Sequence, residues 1–247
     1  MGLEYLKEEP MTTALQGRKK ESWKIFDEIA GTYDLLNKLL SCGIDIYWRS
    51  KLLKNLPKRE NMQALDLATG TADVPLVLVK SKNISKVTGI DLSKGMVEFG
   101  KKKVKKAGKE NKIALHIGDG CNIPAADETM DVVTISFGIR NFPDPQKSLR
   151  EIFRVLKPGG RVMIMEFGLP KNFLVRAVYM FYFRHLLPFV GNLLSKHKDA
   201  YTYLNETVED FPYGESFTNW MKEAGFSNAN FTELTFGISN LYIGDKK

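Results

Sequence analysis

A chain of 247 residues, 43% hydrophobic and 26% charged, has the length for a sizeable core and the composition of an ordinary globular domain, which excludes a largely disordered polymer. The formal charge is +7, and two cysteines, Cys42 and Cys121, are too few for a disulfide framework and point to a reducing compartment. No apolar leader is visible near the start, and the most apolar long segment, 173–194, is interrupted by Arg176, Arg184, His185 and Pro188, which argues against a spanning helix.

In chain order, residues 1–21 read as a flexible polar tail carrying Glu4, Glu8, Glu9 and Pro10. Over 22–56 apolar residues recur at helical spacing: Trp23, Phe26, Ile29 and Ala30, then Leu35, Leu36, Leu39 and Leu40. This predicts an N-terminal helical cap. From residue 63 short apolar runs at 64–68, 87–90, 113–117, 132–137 and 162–167 alternate with helical stretches near 73–81, 94–107 and 145–156. Such alternation predicts a parallel sheet covered on both faces. Lys157-Pro158-Gly159-Gly160 stops the last of these helices and turns the chain into the next strand. Residues 171–210 are aromatic-rich and mostly helical, a lid inserted after the fifth strand. A helix near 215–224 follows, closed by Gly225, and two runs at 230–236 and 241–243 predict a hairpin at the sheet edge.

Much of the positive charge sits in one block, Lys101, Lys102, Lys103, Lys105, Lys106, Lys109 and Lys112. One reading is a footprint for nucleic acid or anionic lipid. The favoured one is the wet face of a helix with Val97, Phe99, Val104 and Ala107 inward, because no interleaved aromatics accompany the run. No nucleic-acid partner is expected.

The informative stretch is Leu65-Asp66-Leu67-Ala68-Thr69-Gly70-Thr71-Ala72-Asp73, a buried strand running into a glycine-bearing turn and a helix. Ligands bind beyond the carboxyl ends of strands in open parallel sheets. Gly70 lets the backbone approach one closely. A dinucleotide fingerprint requires G-x-G-x-x-G, whereas Ala72 and Pro75 stand where the later glycines belong, and Asp73 occupies a helix start that a phosphate would favour. The loop therefore excludes NAD and suits S-adenosylmethionine (SAM), which has no phosphate and a positive sulfonium. Asp91 follows Gly70 by 21 residues, the spacing of a ribose-binding carboxylate, and Asp119 ends the third strand within Gly118-Asp119-Gly120, in reach of an adenine amine. The plain alternative for Asp91-Leu92-Ser93 is a helix cap.

Four stretches together resemble a known family: 25–37 (Ile-Phe-Asp-Glu-Ile-Ala-Gly-Thr-Tyr-Asp-Leu-Leu-Asn), the loop above, 135–142 (Ile-Ser-Phe-Gly-Ile-Arg-Asn-Phe), and 154–160 with Glu166-Phe167. Over roughly 22–245 the chain is similar to class I SAM-dependent methyltransferases, specifically the menaquinone/ubiquinone biosynthesis C-methyltransferases. The resemblance implies an α/β, Rossmann-like domain over 22–247, with a seven-stranded, mostly parallel sheet, helices on both faces and an antiparallel C-terminal strand. It implies SAM as cofactor, a prenylated quinol as substrate, and cofactor contacts at Thr71, Asp91, Asp119, Gly120 and Ser136 beside Gly70. Ala72 replaces the glycine of ubiquinone-side members and tilts the substrate toward demethylmenaquinol.

The resemblance also assigns the chemistry to Arg140, Asn141 and Tyr33. A quinol ring carbon is the better nucleophile as its hydroxyl ionises, and Arg140 would favour that loss by placing positive charge beside the forming phenolate. Asn141 would fix a hydroxyl or a water, and Tyr33, with Asp34 and Asn37, would cover the pocket. The plain alternative pairs Arg140 with Asp144 and leaves Tyr33 simply packing. No residue stands out as a general base. His116, His185 and His197 show no ligand-like spacing with the cysteines, so no metal is expected. The segment 173–194 would line a tunnel for the isoprenoid tail or rest on anionic lipid, giving a cytoplasmic protein peripheral to the membrane. Burial against the sheet, or against a second copy in a homodimer, is its alternative.

Overall fold

The computed structural model describes residues 13–31, 33–41, 43–186 and 199–247. Thr32, Cys42, Pro188, Phe189, His197 and residues 1–12 of the expected tail lie outside these, as do the side chains of Leu35, Leu36, Leu39 and Leu40.

Four N-terminal helices, α1 (Thr13–Lys20), α2 (Ser22–Ile29), α3 (Tyr33–Leu40) and α4 (Ile44–Lys54), lead into the alternating region. That region runs β1 (Met62–Leu67), α5 (Asp73–Leu78), β2 (Ile84–Asp91), α6 (Lys94–Lys106), β3 (Ile113–Ile117), β4 (Met130–Ser136), α7 (Pro145–Val155) and β5 (Leu156–Phe167). Then follow α8 (Phe173–Phe181), continued by a π-helical turn (Tyr182–Leu186), α9 (Asp199–Asp210), α10 (Glu215–Glu223), β6 (Ser227–Leu234) and β7 (Ser239–Asp245). The tail expectation gives way at Thr13: α1 is helical, Arg18 pairs with Glu206, and Lys19 is buried.

The seven strands order as β3-β2-β1-β4-β5-β7-β6, parallel except for β7, which runs antiparallel to both β5 and β6. The two C-terminal strands do form the expected hairpin, but β7 sits inside the sheet and only β6 is an edge. Successive strand residues alternate between two cores. Met62 and Ala64 of β1 face the layer of Trp48, Leu52, Val74 and Val97, while Leu65 and Leu67 face that of Leu149, Ile152, Phe217 and Met221. Both faces are therefore dry, which is why the parallel strands read as continuous apolar runs.

Helix boundaries follow local chemistry. The Asp144 side chain accepts the Lys147 amide at 2.8 Å with Pro145 opening α7, and Ser93 accepts the Met96 amide at 3.1 Å to cap α6. On α6, Val97 and Val104 are buried as expected, but Phe99 and Ala107 are exposed. Lys103 leaves the wet face of the helix: it pairs with Asp34 and with Asp73 (2.5 Å) and donates to Thr71 (3.1 Å), tying α3 to the loop after β1. The chain crosses from the β1-β2-β3 side of the sheet to the β4 side next to β1, so the carboxyl ends of β1 and β4 flank a topological switch point.

Candidate active site

At that switch point a buried carboxylate joins the two strand ends. Asp66 Oδ1 accepts the Thr134 hydroxyl of β4 at 2.5 Å, and Oδ2 accepts the Thr69 hydroxyl at 2.6 Å. Burial raises the Asp66 carboxyl to about 7, against the pull of these two donors. Beyond it the backbone is bent hard. Ala68, Ala72 and Phe137 are non-glycine residues at φ +50°, +68° and +59°, beside Gly70 at +52°. Such conformations persist only where the surroundings over-determine them. Here Gly138 packs so tightly on Ala68 that a Cβ would sit 2.5 Å from the alanine methyl.

Two pockets open on this crevice. The smaller, about 70 Å³, is lined by Gly70, Asp91, Asp119, Gly120, Ser136 and Asn141, with Lys19 and Met96 at its margin. Asp91 bridges two loops, Oδ2 accepting the Gly70 amide at 2.8 Å and Oδ1 the Ser93 amide at 2.9 Å. Its carboxyl is raised by burial against the pull of these amides. The cap of α6 is Ser93 itself, so Asp91 is not the helix cap of the plain reading. Asp119 holds its own turn, accepting the Cys121 amide and the Asn122 side chain, both at 2.8 Å. Gly120 is required, because a Cβ there would lie 2.5 Å from the Phe142 ring. Ser136 Oγ and Asn141 Oδ1 are buried without a protein partner. Burial lowers the Lys19 ammonium, with Asp210 at 3.5 Å opposing it.

Thr71 stands apart from the other expected cofactor residues. Its hydroxyl donates to Asp34 at 2.5 Å and its side chain lines a separate surface depression with Phe99 and Lys103, so it braces the cap instead of facing the smaller pocket. Asn141 lines the smaller pocket and not the larger one.

The larger pocket, about 300 Å³, shares a wall of Phe26, Tyr33 and Phe137 with the smaller. It is mostly apolar: Trp48, Phe137 and Phe167 stack in a cluster on one side, and Tyr179 stacks on Phe183 on another. Arg140 lines it, 4% exposed, and its partner is Glu166 at 2.7 Å, with Phe137 O at 2.6 Å and the Phe167 ring 5.3 Å away. Asp144 instead caps α7, which overturns the Arg140–Asp144 alternative. Arg140 Nε is buried and unpartnered. Burial raises the Tyr33 hydroxyl, with a bond to Asn37 opposing.

Sequence reasoning gave no role to Glu166, Asp66, Asp45 or Arg49. A signal for the last two was present: Tyr33, Asn37, Ser41, Asp45 and Arg49 recur every fourth residue, and all five line the larger pocket.

A family model described as the ubiE/COQ5 methyltransferase family matches residues 13–246. The chain is 43% identical to the ubiquinone/menaquinone biosynthesis C-methyltransferase UbiE of Geotalea daltonii, over 90% of this chain and 95% of that one. It is 41% identical to the demethylmenaquinone methyltransferase of Bacteroides fragilis, over 93% and 94%. Among solved structures it resembles a SAM-dependent methyltransferase from Aquifex aeolicus (21% identity, TM-score 0.60, 81% of this chain and 89% of that). It also resembles the [4+2]-cyclase SpnF (14%, 0.63, 92% and 96%). At that identity the structural likeness fixes the fold and no reaction, as the cyclase itself illustrates.

Asp66 yields a pH test. Its folded-state carboxyl lies above its ordinary value of 3.8, so its contribution to stability is complete below about pH 4 and is lost as pH rises through about 7. Relative to Asp66→Asn, the wild type is expected to lose stability between pH 4 and 8, by about 1.4 kcal/mol per unit of pKa difference. Urea denaturation of both proteins across that range checks it; parallel curves refute it.

Proposed function

The chain belongs to the ubiE/COQ5 methyltransferase family, and on that premise we propose that it C-methylates the ring of a prenylated quinol with SAM, demethylmenaquinol being the substrate. The observation that carries this reading is the pairing of pockets: a small polar one at the switch point shares the wall of Phe26, Tyr33 and Phe137 with a larger apolar one. The small pocket suits SAM. Asp91 offers ribose hydroxyls a carboxylate at the second strand end, and Ser136 Oγ and Asn141 Oδ1 hold hydrogen-bonding capacity that no protein group uses. When bound, SAM supplies an electrophilic methyl group on a positive sulfonium.

The chain's own residues do the rest. The aromatic walls exclude water and hold a flat ring beside the shared wall, where a face of the ring can meet the methyl group. Arg140 lines the cavity with its Nε–H unpartnered, and would donate to a hydroxyl oxygen that gains negative charge during attack. Glu166, fully buried, fixes that guanidinium and neutralises it when the cavity is empty. Demethylmenaquinol is favoured over a ubiquinol precursor by Ala72 and by relatives named for demethylmenaquinone.

The segment after β5 supports the tail and the membrane reading in a divided form. Tyr179, Tyr182 and Phe183 line the cavity, while Phe173, Val178 and Phe181 of the same segment are 77%, 72% and 61% exposed. Arg184 pairs with Glu209 of α9 at 2.8 Å. Among the described residues no helix is long and apolar enough to cross a membrane. The outer face of α8 would rest in the lipid surface that supplies the substrate.

Four measurements test this reading. Asp91→Ala is expected to weaken SAM binding by about 1.5–3 kcal/mol per hydrogen bond lost; unchanged affinity in calorimetry would refute the ribose role. In mass-spectrometric methyl transfer, demethylmenaquinol should be turned over and a ubiquinol precursor much less so. Arg140→Ala strands a buried carboxylate and should cost ~3–5 kcal/mol of stability. Arg140→Ala/Glu166→Gln should recover that stability but not turnover, with SAM affinity preserved. Lastly, Phe183→Ser should raise KM for long-tailed and tail-truncated quinols alike, whereas Phe181→Ser should raise it only for long-tailed quinol presented in vesicles. Equal effects of the two would sink the division of the segment.

A further inference from the structure

The apolar cavity has two polar poles. One is Arg140 with Glu166, described above. The other lies on the cap, where α3 turns into α4. Asp45 is 5% exposed and lines the cavity with Ser41 and Arg49. Its Oδ1 accepts the Ser41 hydroxyl at 2.7 Å, and its Oδ2 is paired with the Arg49 guanidinium, which also stands 3.5 Å from Asp73. A buried ion pair in an apolar wall is a costly way to hold a helix, since hydrophobic residues of similar volume serve stability as well or better. Neither Trp48 nor the aromatic cluster beside it needs a charge there: the Trp48 indole N–H is met by Thr235 at 2.8 Å.

Both poles hold a guanidinium Nε without a partner, at Arg140 and at Arg49, but only the second has its carboxylate, Asp45, on a residue that lines the cavity. Arg140 Nε is a donor without a partner. The Asp45 carboxylate is an acceptor only, with two of its roughly four lone-pair positions used by Ser41 and Arg49. A ring oxygen beside Asp45 must therefore bring a hydrogen. A hydroxyl does; a quinone carbonyl sets lone pair against lone pair in a site of low dielectric. Resting on the reading of this cavity as the quinol ring site, we propose that Asp45 is a specificity-determining residue that accepts a ring hydroxyl and so selects the reduced, dihydroxy form of the ring over forms without a donor. Arg49 acts as a positioning residue that holds the carboxylate toward the cavity.

The test is binding and does not depend on turnover. Trp48 lines the cavity and reports occupancy by fluorescence. The full-length protein, saturated with S-adenosylhomocysteine, is titrated anaerobically with 1,4-dihydroxynaphthalene and with 1,4-dimethoxynaphthalene, which keeps the ring and both oxygens but has no donor. Wild type is expected to prefer the dihydroxy compound by about tenfold, the scale of one charge-assisted hydrogen bond. Asp45→Asn, whose amide offers both donor and acceptor, should bring the ratio near one while leaving S-adenosylhomocysteine affinity intact. Ser41→Ala keeps the carboxylate and its ion pair and should keep the preference. No preference in wild type overturns the proposal. A preference that survives Asp45→Asn overturns it too, and one that disappears in Ser41→Ala assigns the acceptor to the serine. If Asp45→Asn does not fold, wild type and Ser41→Ala still decide. Failure of wild type to bind either naphthalene would instead overturn the quinol reading of the cavity, and this proposal with it.

Discussion

The site depends on one buried carboxylate. Asp66 holds the end of β1 to the end of β4 through Thr134 and to the turn above them through Thr69. Because neighbouring strands here run on to opposite sides of the switch point, nothing in the strand ladder fixes the loops beyond their ends. The hydroxyl bonds do this. They set where Thr69 leaves the sheet, and hence where Gly70 offers its amide to Asp91 and where Ala68 meets Gly138. The desolvation of Asp66 is accepted in a position where a neutral residue would serve stability at high pH, consistent with a geometric role.

Strain and charge both collect around this point. The left-handed residues Ala68 and Phe137 border the pockets, and Phe137 belongs to the wall they share. Two buried ion pairs, Arg140–Glu166 and Arg49–Asp45, stand in the walls of a cavity otherwise built of aromatic and aliphatic groups. Packing alone asks for neither. Their placement gives an apolar chamber a small number of fixed polar contacts, the arrangement that orients a flat ring without wetting it.

The N-terminal helices are part of the site and not an appendage to it. Asp27 of α2 accepts the Ser93 hydroxyl at 2.8 Å and the Gly95 amide at 2.5 Å, fastening the cap to the start of α6. Lys103 reaches Asp34 and Asp73 from the other end of the same helix. The cap thus closes the cavity from above, while Tyr179 and Phe183 close it from the lid.

The sequence by itself determined the sheet and the place of the cofactor loop. Alternating apolar runs placed β1 to β5 to within a few residues, apart from the early start of β5, because strands buried on both faces have no other pattern. Asp91 and Asp119 were legible because they stand at strand ends, where backbone direction alone dictates the neighbourhood, whereas Gly120 and Ser136 rested on the family resemblance. Tertiary structure decided what spacing cannot encode. Thr71 sits in the same turn as Gly70, yet its side chain leaves the pocket, since a left-handed residue on each side rotates it toward Asp34 and Lys103. The partner of Arg140 is Glu166, 26 residues away on the neighbouring strand, and not Asp144, which its helix takes as a cap. Asp45 and Arg49 look like an ordinary surface pair at i and i+4 until α4, through its Trp48, is laid against Phe137 and Phe167. Only the packing of one element on another makes that face of the helix an inside, and so turns a charge pair into the polar pole of a chamber.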